Sequence, residues 1–172
     1  LEKFGATYGN AYPVGIRLRP NIMAGGNLKI STGHDKSKFG IPVTQIQDVI
    51  AIKEKYNLNI YAVHIHTGSE IKDVTVFVEG LDVLFNIIPH FENLKVIDLG
   101  GGFKVPYKDG DAATDINLLA QEVQKAITTF QNKVGKQFEI WFEPCATERR
   151  WPLADDYVLC ARCVFVLGTA RS

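Results

Sequence analysis

The chain predicts an α/β fold built on a parallel sheet, and three observations carry that expectation. Four short runs rich in β-branched and aromatic residues, VGIRL at 14–18, IYAVHI at 60–65, KVIDL at 95–99 and FEIWF at 138–142, punctuate residues 1–144. Between the later runs lie segments whose apolar residues return every three or four positions, the spacing of an amphipathic helix. The last three runs each end at a loop: HIHTGSEI at 64–71, IDLGGGF at 97–103 and IWFEP at 140–144. Strands joined through helices run parallel, and a sheet covered by crossover helices is expected to be buried on both faces. Pattern alone allows a doubly wound sheet or a β/α barrel. Four βα units make about half of a barrel that typically takes ~250 residues.

Taken in order, the opening LEKFGATYGN lacks the apolar core of a signal peptide, and the first strand follows at 14–18. The first helix is expected to open at Thr44 and Gln47, which have capping-box spacing, to bury Ile46, Val49, Ile50 and Tyr56, and to stop near Asn57. The second places Val74, Phe77, Val78, Leu81, Leu84, Phe85 and Ile88 on one face, with Pro89 as its expected terminator. The third aligns Ile116, Leu119, Ala120, Val123, Ile127, Phe130 and Val134, and Gly135 supplies its C-terminal cap.

The 172 residues suffice for one domain, and 19 basic residues balance 19 acidic ones. That balance argues against nucleic acid or an acidic membrane surface as the main partner, because both are normally met by a basic patch. No apolar run reaches the roughly 18–20 residues that span a bilayer, so the expected location is cytoplasmic. Composition changes near Glu143. All 13 lysines lie at or before Lys136, whereas all three cysteines and four of six arginines follow Glu143. The chain therefore divides into a β/α region at 1–144, which the resemblance given below makes a partial β/α barrel, and an atypical tail at 145–172, read as a frame shift, a recombination scar or a truncated gene, with a native tail of unusual composition as the competing reading. The tail holds one expected strand, YVLCARCVFVL at 157–167. Cys160 and Cys163 form a lone CxxC with no second pair to complete tetrahedral zinc, and are read as accidental.

The strand ends carry the chemistry. Gly100, Gly101 and Gly102 follow a strand, where missing side chains let backbone N–H groups converge on an anion; a tight turn that merely needs glycine is the competing reading. Phe103, Lys104 and Val105 break the dinucleotide fingerprint, and no GxxxxGK(S/T) stretch occurs, which argues against nicotinamide and ATP sites. His64 and His66 share a strand face, followed by the turn Thr67, Gly68 and Ser69. Such a pair can ligate zinc in a hydrolase, but only His34 and His90 remain to complete the set, and His90 is expected at the opposite end of the strands. Glu143 closes a strand at the same sheet edge as His66 and the glycines. A carboxylate there can keep a pyridinium nitrogen protonated. Arg17, on the first strand, can balance the charge of the site or sit at the surface.

Across residues 1 to about 144 the chain resembles the diaminopimelate decarboxylase family. The resemblance rests on RLRPNIMAGGNLKISTGHDKSKFGIP at 17–42, followed by HIHTGSEI, IDLGGGF and WFEP in the family's order and approximate spacing. It implies a partial TIM-type (β/α)8 barrel of the alanine-racemase-like kind, roughly its second half, with pyridoxal 5'-phosphate as cofactor. By the same resemblance His66 stacks on the pyridine ring, Ser69 and Gly100, Gly101 and Gly102 receive the phosphate, Glu143 meets the ring nitrogen, and Arg17 stands behind them. His66 and Glu143 are then the catalytic candidates, with no metal. The implied reaction removes carbon dioxide from meso-diaminopimelate to give L-lysine, in a homodimer when the protein is full length.

Departures from the family pattern limit what this chain is expected to do alone. The lysine that bonds the cofactor in the family lies on a strand upstream of the matched stretch, and Cys145 and Ala146 stand where the family carries glycine and a basic or polar residue. The family's carboxy-terminal β domain has no counterpart here. The expected function is therefore an enzyme fragment, inactive alone. Alternatives are a non-catalytic half barrel that binds the cofactor or phosphate, and a related ornithine, arginine or carboxynorspermidine decarboxylase, since these share the barrel.

Overall fold

The computed structural model describes residues 1–22 and 39–144, together with the backbone of two short strands further on. Its strands are β1 (Pro13–Arg19), β2 (Ile41–Pro42), β3 (Asn59–Ile65), β4 (Val96–Asp98) and β5 (Glu139–Phe142), and its helices α1 (Glu2–Tyr8), α2 (Ile46–Tyr56), α3 (Thr75–Phe85) and α4 (Ile116–Val134). β1, β3, β4 and β5 are neighbours in chain order and pair in parallel, with α2, α3 and α4 as successive crossovers. All four expected strands therefore form. β2 adds a two-residue edge beside β1, too short to template another chain.

One sheet face is sealed. Ile16, Leu18, Val63, Ile65, Ile97, Leu99, Ile140 and Phe142 face the helices at 0–6% exposure. Aromatic side chains tie the helices to one another and to the loop after β4: Phe85 of α3 stacks on Phe130 of α4 at 4.1 Å, and Phe77 of α3 on Phe103 at 5.3 Å. The other face corrects the expectation of burial on both sides. Arg17, His64, Asp98 and Trp141 stand in register across four strands, and of these only Asp98 is buried. Strands of a closed barrel bury that face against one another, and the described strands alone do not close one. A bulge sits between β1 and β3: Val14 pairs with Ile60 but Gly15 with Ala62, which leaves Tyr61 as an extra residue.

The helix boundaries differ from expectation in detail. Thr44 does not cap α2; it lies in a single 3-10 turn, Val43–Gln45, and Gln45 holds the cap position without a side-chain bond. Of the expected apolar face only Val49 is fully buried, while Ile46, Ile50 and Tyr56 are partly buried against the core. Asn57 ends α2 in the left-handed conformation, as expected. α3 stops at Phe85, before Pro89, which instead enters a second 3-10 turn, Ile88–His90. The ring that cannot continue an α-helix is accommodated at the start of a new turn. α4 ends at Gly135 in the left-handed region, as its sequence requires.

Two features leave no clear pattern in the sequence. α1 packs on α2 through Gly5, where a Cβ would sit 2.7 Å from the Tyr56 ring, and through the Lys55–Glu2 ion pair at 2.9 Å. Seven residues are too short for periodicity to announce a helix. The run at 157–167 is two strands rather than one: β6 (Tyr157–Leu159) and β7 (Phe165–Leu167) pair antiparallel, and β7 adds to β5. Both strands have similar composition, and no glycine or proline separates them in the sequence. Cys145, Ala146, Cys160, Cys163, His34 and most of the 17–42 stretch lie outside the described residues.

Candidate functional site

The carboxyl ends of β3, β4 and β5 converge, and the glycine run is what lets them do so. A Cβ on Gly101 would lie 1.9 Å from the Glu143 carbonyl oxygen, and one on Gly102, at φ +87°, 1.8 Å from that of Gly68. No side chain fits either place. The backbone bonds follow from that contact: Glu143 N–H donates to the Gly100 carbonyl at 2.8 Å, and Ile71 N–H to the Gly102 carbonyl at 2.8 Å.

The three glycine N–H groups have different fates. Gly100 donates to Asp98 Oδ1 at 2.8 Å and Gly101 to His66 Nδ1 at 3.3 Å. Among the described residues Gly102 N–H finds no acceptor. It is thus the one amide of the run left for an external anion, beside the exposed Ser69 on the neighbouring loop. Since Nδ1 of His66 accepts a bond, its ring proton belongs on Nε2.

Burial holds both histidines neutral by lowering their affinity for a proton. For His66 the positive charge of Arg17 adds to burial and so does His64, while Glu143 opposes them. For His64 burial again leads, Glu143 works against it, and Arg17 reinforces it. Its Nε2 faces Glu143 Oε2 at 3.6 Å, beyond hydrogen-bond reach, and finds no hydrogen-bond partner among the described residues. Arg17 itself stands beside His64 in register and lays its guanidinium over the Phe39 ring at 5.4 Å.

Asp98 is the residue that sequence reasoning missed. Burial pushes its carboxyl up to about 6; the Gly100 N–H bond works in the other direction, and the Glu143 charge adds to the rise. The available signal was its place as the lone acid of an apolar strand directly before three glycines. Its partners, Gly100 apart, come from other strands.

The structure also divides the histidine pair. His64 joins Asp98 and Glu143, with one donor atom from each within 4.8 Å of one another, while His66 turns to the glycine loop. A zinc site built on both histidines is not what this arrangement offers. His90 sits in the turn before β4, away from the strand ends that carry the site.

Residues 1–147 match the family model described as the pyridoxal-dependent decarboxylase, pyridoxal binding domain. The chain belongs to this family. Among curated proteins it is 30% identical over 149 residues to a diaminopimelate decarboxylase of Pseudomonas fluorescens, covering 84% of this chain and 34% of that protein. It is 32% identical over 141 residues to one from Bacillus methanolicus, covering 75% of this chain and 32% of that protein. A crystal structure of Helicobacter pylori diaminopimelate decarboxylase complexed with L-lysine superposes with a TM-score of 0.66 at 26% identity, over 83% of this chain and 36% of that one. The chain thus spans about a third of the length of the relatives it matches. The expected resemblance and the partial alanine-racemase-like barrel hold, as does the pyridoxal cofactor of the family. Among the described residues no helix is long and apolar enough to cross a membrane.

Proposed function

We propose that this chain is the cofactor-holding part of a pyridoxal-phosphate-dependent amino-acid decarboxylase, acting on meso-diaminopimelate to give L-lysine and carbon dioxide. One observation carries the reading. A neutral imidazole, a half-exposed carboxylate and an unspent backbone N–H, from His66, Glu143 and Gly102, meet at one sheet edge. The names of the relatives support the substrate.

These residues fit the cofactor. Gly102 N–H and the Ser69 hydroxyl hold its phosphate. Gly100 and Gly101, whose amides are engaged internally, shape the loop rather than donate to the anion. His66, fixed through Nδ1, offers its ring face to the pyridine ring. Glu143 keeps the pyridine nitrogen protonated, and Arg17 sets the charge behind both. Pyridoxal phosphate, when bound, supplies the electron sink for the pair left behind by departing carbon dioxide. A strand-end carboxylate strengthens that sink by stabilising the protonated nitrogen. The complete enzyme works as a homodimer, and the domain spans residues 1–144.

Titration of the purified chain with pyridoxal phosphate, followed by absorbance and fluorescence, tests the reading. Saturable binding that His66→Ala and Gly101→Val both weaken, and that free phosphate competes for, is the expected result. Adducts on surface lysines that neither variant alters would refute it.

A further inference from the structure

The two loops that would hold the phosphate are tied together at a point the site itself does not use. Thr114 lies 10 residues beyond Lys104, its side chain buried at 6% exposure. Its hydroxyl donates to the Ile71 carbonyl at 2.6 Å and accepts Lys104 N–H at 2.7 Å. Thr114 N–H in turn donates to the Lys104 carbonyl at 2.9 Å. Ile71 and Phe103 form an isolated parallel bridge in which the direct rung, Lys104 N–H to Ile71 carbonyl, is long at 3.3 Å. The hydroxyl wedges into that rung and serves both sides of it.

What the bridge controls follows from chain distance. Ile71 stands two residues after Ser69, and Lys104 two after Gly102. The same loops are clasped a second time by Lys104 Nζ, which reaches Glu70 at 3.2 Å and Asp111 at 3.7 Å. Glu70, the residue next to Ser69, sits at φ +56°, a left-handed conformation uncommon for glutamate. Donors that must meet an anion together gain from being fixed beforehand.

We propose that Thr114 is a positioning residue for the phosphate site, whose buried hydroxyl sets the separation of Ser69 from Gly102. The inference rests on the cofactor reading above and deepens it. Valine has nearly the shape of threonine without the hydroxyl, so Thr114→Val leaves the Ile71 carbonyl and Lys104 N–H with only their long mutual bond. A loosened phosphate site loses affinity for the phosphorylated cofactor and not for its unphosphorylated form.

The test measures affinities of the intact chain for pyridoxal phosphate and for pyridoxal. In Thr114→Val we expect binding of the phosphate ester to weaken about tenfold, the scale of one displaced hydrogen bond to a charged group. Pyridoxal binding stays within about twofold on the same ground, and Thr114→Ser restores the difference. A general structural defect lowers both affinities equally and overturns the proposal, as does a Thr114→Val chain that keeps its preference for the phosphate ester. A wild-type chain that binds both ligands alike sinks the cofactor reading and this inference with it. If Thr114→Val does not fold, hydrogen exchange of the wild type decides. Protected Lys104 and Thr114 amides support the bridge, and free exchange at both overturns it.

Discussion

Replacing Asp98 by asparagine should stabilise this chain at neutral pH, although it removes a charge from the candidate site. Asp98 is buried at 9% exposure, and its carboxyl is pushed from an ordinary 3.8 up to about 6. Between those values the folded chain holds the proton more tightly than the unfolded chain does. Stability therefore falls as pH rises through roughly 4 to 6, and the full penalty persists above that window. A shift of roughly two units corresponds to at most about 3 kcal/mol. Asparagine keeps an oxygen for the Gly100 N–H, so the 2.8 Å bond survives while the buried charge does not. Urea unfolding at several pH values, followed through tryptophan fluorescence, provides the assay. With a slope of about 2 kcal/mol per molar, the midpoint at pH 8 should rise by up to about 1.5 M in Asp98→Asn and the difference should vanish near pH 3, below both values. Other carboxylates act in the opposite sense: Glu92, Asp73 and Asp111 have lowered values and lose their contribution as pH falls. They are common to both proteins, so the difference between the two curves isolates Asp98. A difference that does not change with pH, or a less stable variant at pH 8, would refute the reasoning.

Two further outcomes follow from the geometry. Gly101→Ala places a Cβ 1.9 Å from the Glu143 carbonyl and must separate β4 from β5; we expect a loss of about 2 kcal/mol or more, read as a lowered melting temperature. A melting temperature unmoved by this variant would contradict the close approach. Asp115, whose carboxylate accepts Leu118 N–H at 2.9 Å at the start of α4, should cost about 1 kcal/mol when replaced by alanine and little when replaced by asparagine, as measured by urea midpoints. Equal losses in both variants would assign the effect to something other than the cap.

The parts of the fold that were legible in the sequence are those that periodicity records. α4 carries Leu119, Val123, Ile127 and Phe130 at helical spacing and buries all four, and Gly135 and Asn57 stop their helices where expected. Burial of the sheet's far face is not legible in the sequence, because a run such as IYAVHI does not state whether a second layer covers it. The strand-end loops were visible as motifs, and the resemblance gave them roles, yet their internal bonding was not visible. Nothing in IDLGGGF tells that Asp98 and His66 consume two of the three amides. Thr114 was equally silent: it lies in the aperiodic stretch DGDAAT, and its acceptor on Ile71 is 43 residues away.

The extra residue at Tyr61 has a consequence for where the imidazole of His64 points. Leu58 and Ile60 bury the even-numbered side of the chain entering β3, but Val63 and Ile65 bury the odd-numbered side leaving it. Were the alternation unbroken, His64 would project among the helices, and a polar ring would have to be accommodated in the oil. The bulge reverses the parity of the strand halfway along, so the same seven residues serve as wall at one end and as working surface at the other. Deleting a single residue at that point would leave strand composition almost untouched and turn the site inside out.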